Sequence, residues 1–102
     1  MTRDAIDFLV LDAVADDVES VPHIRSRVGA AGDVRLLLSA LHRLTRDRLI
    51  EACTIVGTEP ELAGVGEGVW PQGNVEDMWF RLTARGRMVH DAWVSDAEAG
   101  TA

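Results

Sequence analysis

Lysine is absent from this chain of 102 residues, and cysteine occurs once. A single cysteine excludes an internal disulfide framework and leaves no cysteine-built zinc site. No apolar run approaches the roughly 20 residues that span a bilayer. The opening residues, MTRDAID, lack the basic-then-apolar layout of a signal peptide. The expectation is a cytoplasmic protein with no membrane partner. His23, His42 and His90 lack the spacing of metal ligands. Gly64-x-Gly66-x-Gly68 has the wrong spacing for a dinucleotide fingerprint, and no helix pattern follows it. No nucleophile and base stand together, so neither an enzyme nor a cofactor is expected. Cys53 falls in a β-branched stretch and reads as a small buried apolar group.

A positive excess is missing as well. Ten arginines face 17 acids, a net charge of −7. That balance opposes indiscriminate attraction to nucleic acid or anionic lipid. The distribution is more informative than the total. Residues 1–21 carry one arginine against six acids, a balance of −5. Residues 22–50 carry six arginines against two acids, or +4. Residues 51–80 hold six acids and no base, or −6, and residues 81–102 balance to zero.

What is present is enough apolar residue for one core: 47% of the chain. Residues 4–15 read as a helix, with Ile6, Leu9, Val10, Ala13 and Val14 at helical spacing and Phe8, Leu11 and Ala15 as a second stripe. Asp4 suits its first turn. Residues 16–21 hold a short strand. Ser20 caps a second helix over 22–28, with Pro22 in its first turn. Gly29 to Gly32 is a turn. Asp33 caps a third helix, 33–48, whose inward face is Val34, Leu37, Leu38, Leu41 and Leu44. Two helices joined by a glycine turn, the second amphipathic and arginine-rich, describe a helix-turn-helix. Residues 49–56 and 78–82 read as strands that pair around a long loop, 57–77, with five glycines, two prolines and five acids. Thr83 caps a last helix, 84–94, and residues 95–102 read as a flexible tail.

Two stretches carry a resemblance. One is Leu41-His42-Arg43-Leu44-Thr45-Arg46-Asp47-Arg48-Leu49-Ile50-Glu51, a leucine pair running into a turn and strand. The other is Phe80-Arg81-Leu82-Thr83-Ala84-Arg85-Gly86-Arg87, an aromatic-x-Leu-Thr-x-x-Gly-Arg pattern. With the element order, they resemble the winged helix-turn-helix domain of bacterial transcriptional regulators, in the PadR-like and MarR-like style. Arg48 stands where that pattern has glycine. The loop is longer and more acidic than a usual wing, and Leu36 falls where such domains place small or polar residues. The resemblance implies one α+β, mostly helical domain over residues 1–94, with a three-helix core, a β-hairpin wing and a C-terminal helix.

It also implies a sequence-specific regulator of transcription bound to double-stranded DNA. The third helix would enter the major groove, with Arg35, Ser39, His42 and Arg43 nearest the bases. Arg25, Arg27 and Arg46 would lie closer to the backbone, and Arg85 and Arg87 could add phosphate contacts. A homodimer through the first and last helices, around Phe8 and Trp93, follows from the same resemblance. The acidic loop opposes DNA contact and leaves an alternative open: a winged-helix module that binds another protein through Glu59, Glu61 and Trp70. A small-molecule sensor is a third reading, for which so short a chain offers little pocket without a dimer.

Overall fold

The computed structural model describes residues 5–29, 34–56 and 61–100. Asp4 and Asp33, expected as first-turn and capping residues, lie outside them, as does Glu59. Four α-helices and a four-stranded antiparallel sheet make up the described residues. The helices are α1 (Ala5–Ala13), α2 (Val21–Val28), α3 (Val34–Arg46) and α4 (Ala84–Gly100). The strands are β1 (Glu19–Ser20), β2 (Ile50–Val56), β3 (Glu61–Gly64) and β4 (Trp79–Leu82). None of these helices is long and apolar enough to cross a membrane.

Helix starts follow local chemistry. The Ser20 hydroxyl accepts a hydrogen bond from the His23 N–H at 3.3 Å, and Pro22 occupies the first turn of α2. At the other end of α2, Gly29 takes φ +67°, a left-handed value that costs glycine little. Arg48, two residues past the end of α3, takes φ +63°. The turn that usually employs glycine is therefore kept with arginine in its place, against a steric cost of about 1–2 kcal/mol.

The sheet order is β1-β4-β2-β3, with every pair antiparallel. β2 and β4 pair as expected, Ile50 opposite Leu82 and Cys53 opposite Trp79. The expected uniform loop is corrected at two places. Residues Glu61–Gly64 add a strand to the other edge of β2, and Val75–Asp77 form a single 3₁₀ turn. The last helix also runs on to Gly100, through residues expected as tail.

The core joins Val10, Leu11 and Val14 at the end of α1, Ile24 and Val28 of α2, Leu37, Leu41 and Leu44 of α3, and Ile50 and Phe80 of the sheet. At roughly 25 cal/mol per Å², such fully buried side chains dominate the stabilising side of folding. Val34 is a correction: it lies about half exposed rather than on the inward face. The buried set of α3 is Leu37, Ala40, Leu41, Leu44 and Thr45.

Thr83 and Gly86 join α4 to the turn after α3. The Thr83 hydroxyl accepts from the Gly86 N–H at 2.9 Å, capping α4. The same hydroxyl donates toward the Arg48 carbonyl at 2.6 Å, with the Leu49 carbonyl at 3.2 Å. The Thr83 N–H donates to the Leu49 carbonyl at 3.1 Å. Glycine at 86 lets the helix come this close, because a Cβ there would lie 1.9 Å from the Leu49 oxygen. The Thr-x-x-Gly pattern thus has a packing function in this chain.

Candidate nucleic-acid interface

The side of α3 turned away from the core presents Arg35, Leu36, Ser39, His42 and Arg46, all exposed. They recur at three- and four-residue spacing, so they share one face. Leu36 is 54% exposed, a large apolar group among polar neighbours. Between this face and the segment after β3 lies a groove of about 590 Å³. Leu38, Ser39, His42, Arg43, Thr45 and Arg46 line it from the helix, and Gly68 and Trp70 from the loop.

Trp70 forms the groove's far wall. Its ring stacks on the His42 ring, with centroids 3.6 Å apart and planes 22° from parallel. It also meets Phe80 of the core at 5.9 Å. Trp70 is half-buried, so the loop's one large aromatic anchor is engaged within the chain. One ring face of His42 is covered, while the residue as a whole stays exposed.

The arginines divide into two sets. Arg43 is partly buried and turned toward α1: its Nε donates to Asp7 at 3.1 Å, and its Nη2 pairs with the same carboxylate. That bidentate arrangement, the geometry guanidinium and carboxylate favour, fixes α3 on α1. Arg25 reaches from α2 to Glu76 in the 3₁₀ turn. Arg87 donates to the Ala15 carbonyl and ties α4 to the end of α1. These three, expected near bases or phosphate, hold elements together. Arg27, Arg35, Arg46 and Arg85 are exposed as well, as is Arg87 itself. Arg46 has Asp47 beside it at 3.3 Å, an exposed pair of little strength.

Away from α3, Glu51 carries no signal in the sequence that marks its role. Its carboxylate accepts from Arg81 Nε at 2.9 Å and Nη2 at 2.6 Å, and from the Gly66 N–H at 3.0 Å. It pins the segment after β3 to the sheet. Opposite registers on β2 and β4 bring Glu51 and Arg81 together, a pairing that only the strand alignment reveals. The same carboxylate raises the Arg81 pKa, chiefly through that hydrogen bond. Cys53 is buried, and burial pushes its thiol above the ordinary range, against a smaller lowering by Arg81. Of the loop residues expected at a protein interface, Glu61 begins β3 and Trp70 packs inward.

Comparisons with protein-family models, with curated proteins and with solved structures found no match for this chain.

Proposed function

We propose that this chain is a winged-helix DNA-binding protein that regulates transcription, with α3 as the helix that enters the major groove. The observation that carries the reading is the two-sided character of α3. Leu37, Leu41 and Leu44 are buried on one side, and Arg35, Ser39, His42 and Arg46 are exposed on the other. A helix held by its apolar side and offering arginine, serine and histidine outward has the chemistry for base edges and phosphate. The strand order gives support. β1 lies beside β4 and β4 beside β2, the arrangement a β-hairpin wing after the third helix produces, here with β3 added at the edge.

The division among the arginines refines the roles. Arg35 and Ser39 are the base-reading candidates, with Arg46 and Arg27 as phosphate contacts. Arg43 supports α3 through Asp7 and takes no base in this proposal. Leu36 adds an apolar group suited to a thymine methyl. The acidic residues Glu67, Glu76 and Asp77 stay off the duplex, so the loop contributes little grip. The interface is therefore small, and affinity rests on few phosphates.

The test is selection of bound fragments from random genomic DNA at physiological salt, followed by anisotropy titration of the enriched fragment. Arg35→Ala is expected to weaken binding by roughly 10- to 100-fold and to relax preference at one base pair. Arg46→Ala is expected to weaken all sequences alike and to reduce the dependence on salt by about one phosphate's share. No enrichment of any fragment overturns the proposal.

A further inference from the structure

The groove beside α3 is larger than so short a chain is expected to hold. Its volume of about 590 Å³ falls within the roughly 300–1,000 Å³ of small-ligand sites. Leu38, His42 and Thr45 lie along one stripe of α3, and Ser39 and Arg46 along the next. Trp70 closes the far side, in contact with His42 and Phe80.

One group in this lining has no role in the fold. Thr45 is 1% exposed, and its hydroxyl has no hydrogen-bond partner among the described residues. A helical threonine ordinarily donates its hydroxyl hydrogen to a carbonyl one turn back. A buried hydroxyl left unpaired is costly, so nearly all such groups in native proteins are satisfied. A ligand in the groove supplies the missing partner.

The rest of the lining selects that ligand's chemistry. No carboxylate lines the groove among the described residues. The Arg46 side chain is 74% exposed, and its contact with Asp47 runs through Nε alone. Its two terminal nitrogens remain to grip an oxyanion. Ser39 adds an exposed hydroxyl, and His42 a ring nitrogen. The negative end of α3 is blunted, because the Arg43, Leu44 and Thr45 carbonyls accept from the N–H groups of Asp47, Leu49 and Arg48.

We infer that this groove binds a small phosphate monoester. Arg46, Ser39 and the Thr45 hydroxyl take the phosphate, and Leu38 and the Trp70 indole meet the carbon body. The donor set favours phosphate over carboxylate. A guanidinium fork, two hydroxyls and an imidazole bring more donors than the roughly four acceptor sites of a carboxylate. Three terminal phosphate oxygens accommodate them. The depth of Thr45 favours a monoester over duplex backbone, since a phosphate held between two sugars cannot turn its oxygens to so buried a hydroxyl. Ser39 and Arg46 are also the proposed DNA contacts, so the two occupants exclude each other on α3. The site itself is argued without DNA, and its test uses none.

Calorimetric titration of the full chain at neutral pH, in phosphate-free buffer, tests the inference. Phenyl phosphate is the probe, with benzoate as the matching carboxylate and dimethyl phosphate as the diester. Phenyl phosphate is expected to bind with a dissociation constant on the order of 100 µM, and the other two at least ~10-fold more weakly. Arg46→Ala is expected to weaken it by roughly 10- to 100-fold. Thr45→Val is expected to weaken it by ~10-fold. Without ligand, the same change is expected to raise the melting temperature by about 4–8 °C, because it removes an unpaired hydroxyl and keeps the side chain's shape. A purely structural threonine would lose stability instead. Thr45→Ser, which keeps the hydroxyl, is expected to bind as wild type does. No heat with phenyl phosphate at concentrations on the order of 5 mM overturns the inference. So does equal affinity for benzoate or dimethyl phosphate, or a Thr45→Val protein that binds as tightly as wild type.

Discussion

Gly86→Ala separates a packing role for the Thr-x-x-Gly segment from a purely helical one. Helix propensity alone predicts stabilisation, by about 1 kcal/mol for alanine over glycine in a helix. The structure predicts the reverse. The new Cβ would lie 1.9 Å from the Leu49 carbonyl oxygen and 2.8 Å from its carbon, both backbone atoms that cannot swing aside. Relief needs α4 and the turn after α3 to part by about an ångström or more, as ordinary carbon–oxygen contacts demand. That movement strains or breaks the Thr83 bonds to the Arg48 and Leu49 carbonyls. Each such bond contributes about 1 kcal/mol. Overpacking adds about 1–3 kcal/mol. After the propensity gain is set against these, the net loss is roughly 2–4 kcal/mol. For a domain of this size, a melting temperature lower by roughly 10–25 °C follows. Thermal circular dichroism at fixed protein concentration measures it. Thr83→Ala combined with Gly86→Ala should cost less than the two changes added, since both release the same bonds. A Gly86→Ala protein as stable as wild type, or more so, would refute the close approach of α4 to Leu49.

Three further outcomes are expected. Arg43→Ala should lower stability by about 1 kcal/mol through loss of the partly buried Asp7 pair, whereas Arg46→Ala should change it little; urea titration distinguishes them. Arg48→Gly should raise stability by roughly 0.5–1 kcal/mol by removing the left-handed strain, read as a higher urea midpoint at unchanged slope. The raised pKa of Cys53 means that the unfolded chain loses this proton first as pH rises. Its contribution is therefore intact below the ordinary thiol range and declines as pH climbs through that range toward the higher folded value. Cys53→Ala should remove that alkaline loss in thermal melts, and the native thiol should react with an aromatic disulfide reagent far more slowly than the urea-unfolded one.

The sequence and the structure agree most closely where local chemistry sufficed. Ser20 and Thr83 mark helix starts because a hydroxyl satisfies nearby N–H groups, which depends on three or four residues. Leu37, Leu41 and Leu44 mark the buried side of α3 because their period matches the helix. β3 is not legible in the sequence because Glu61-Leu62-Ala63-Gly64 has no alternation of its own. Its backbone is ordered by antiparallel pairing with Cys53 to Val56. The α4 extension to Gly100 was hidden for a related reason, since its last turns lack the apolar repeat that marks a packed helix.

The candidate interface divides along the same line. The charge pattern alone puts six of ten arginines in residues 22–50, and the apolar period alone assigns Arg35, Ser39, His42, Arg43 and Arg46 to the outward side of α3. Neither could reveal that Arg43 belongs to Asp7, 36 residues away, or Arg25 to Glu76, 51 residues away. Nor could they reveal that Trp70 lies on His42, or that Trp93 faces Phe8 and leaves Met88 outside. Helical period and capping are properties of neighbours along the chain, so the sequence carries them openly. Which arginine joins two elements depends on the distance between them, and only the folded chain sets that distance.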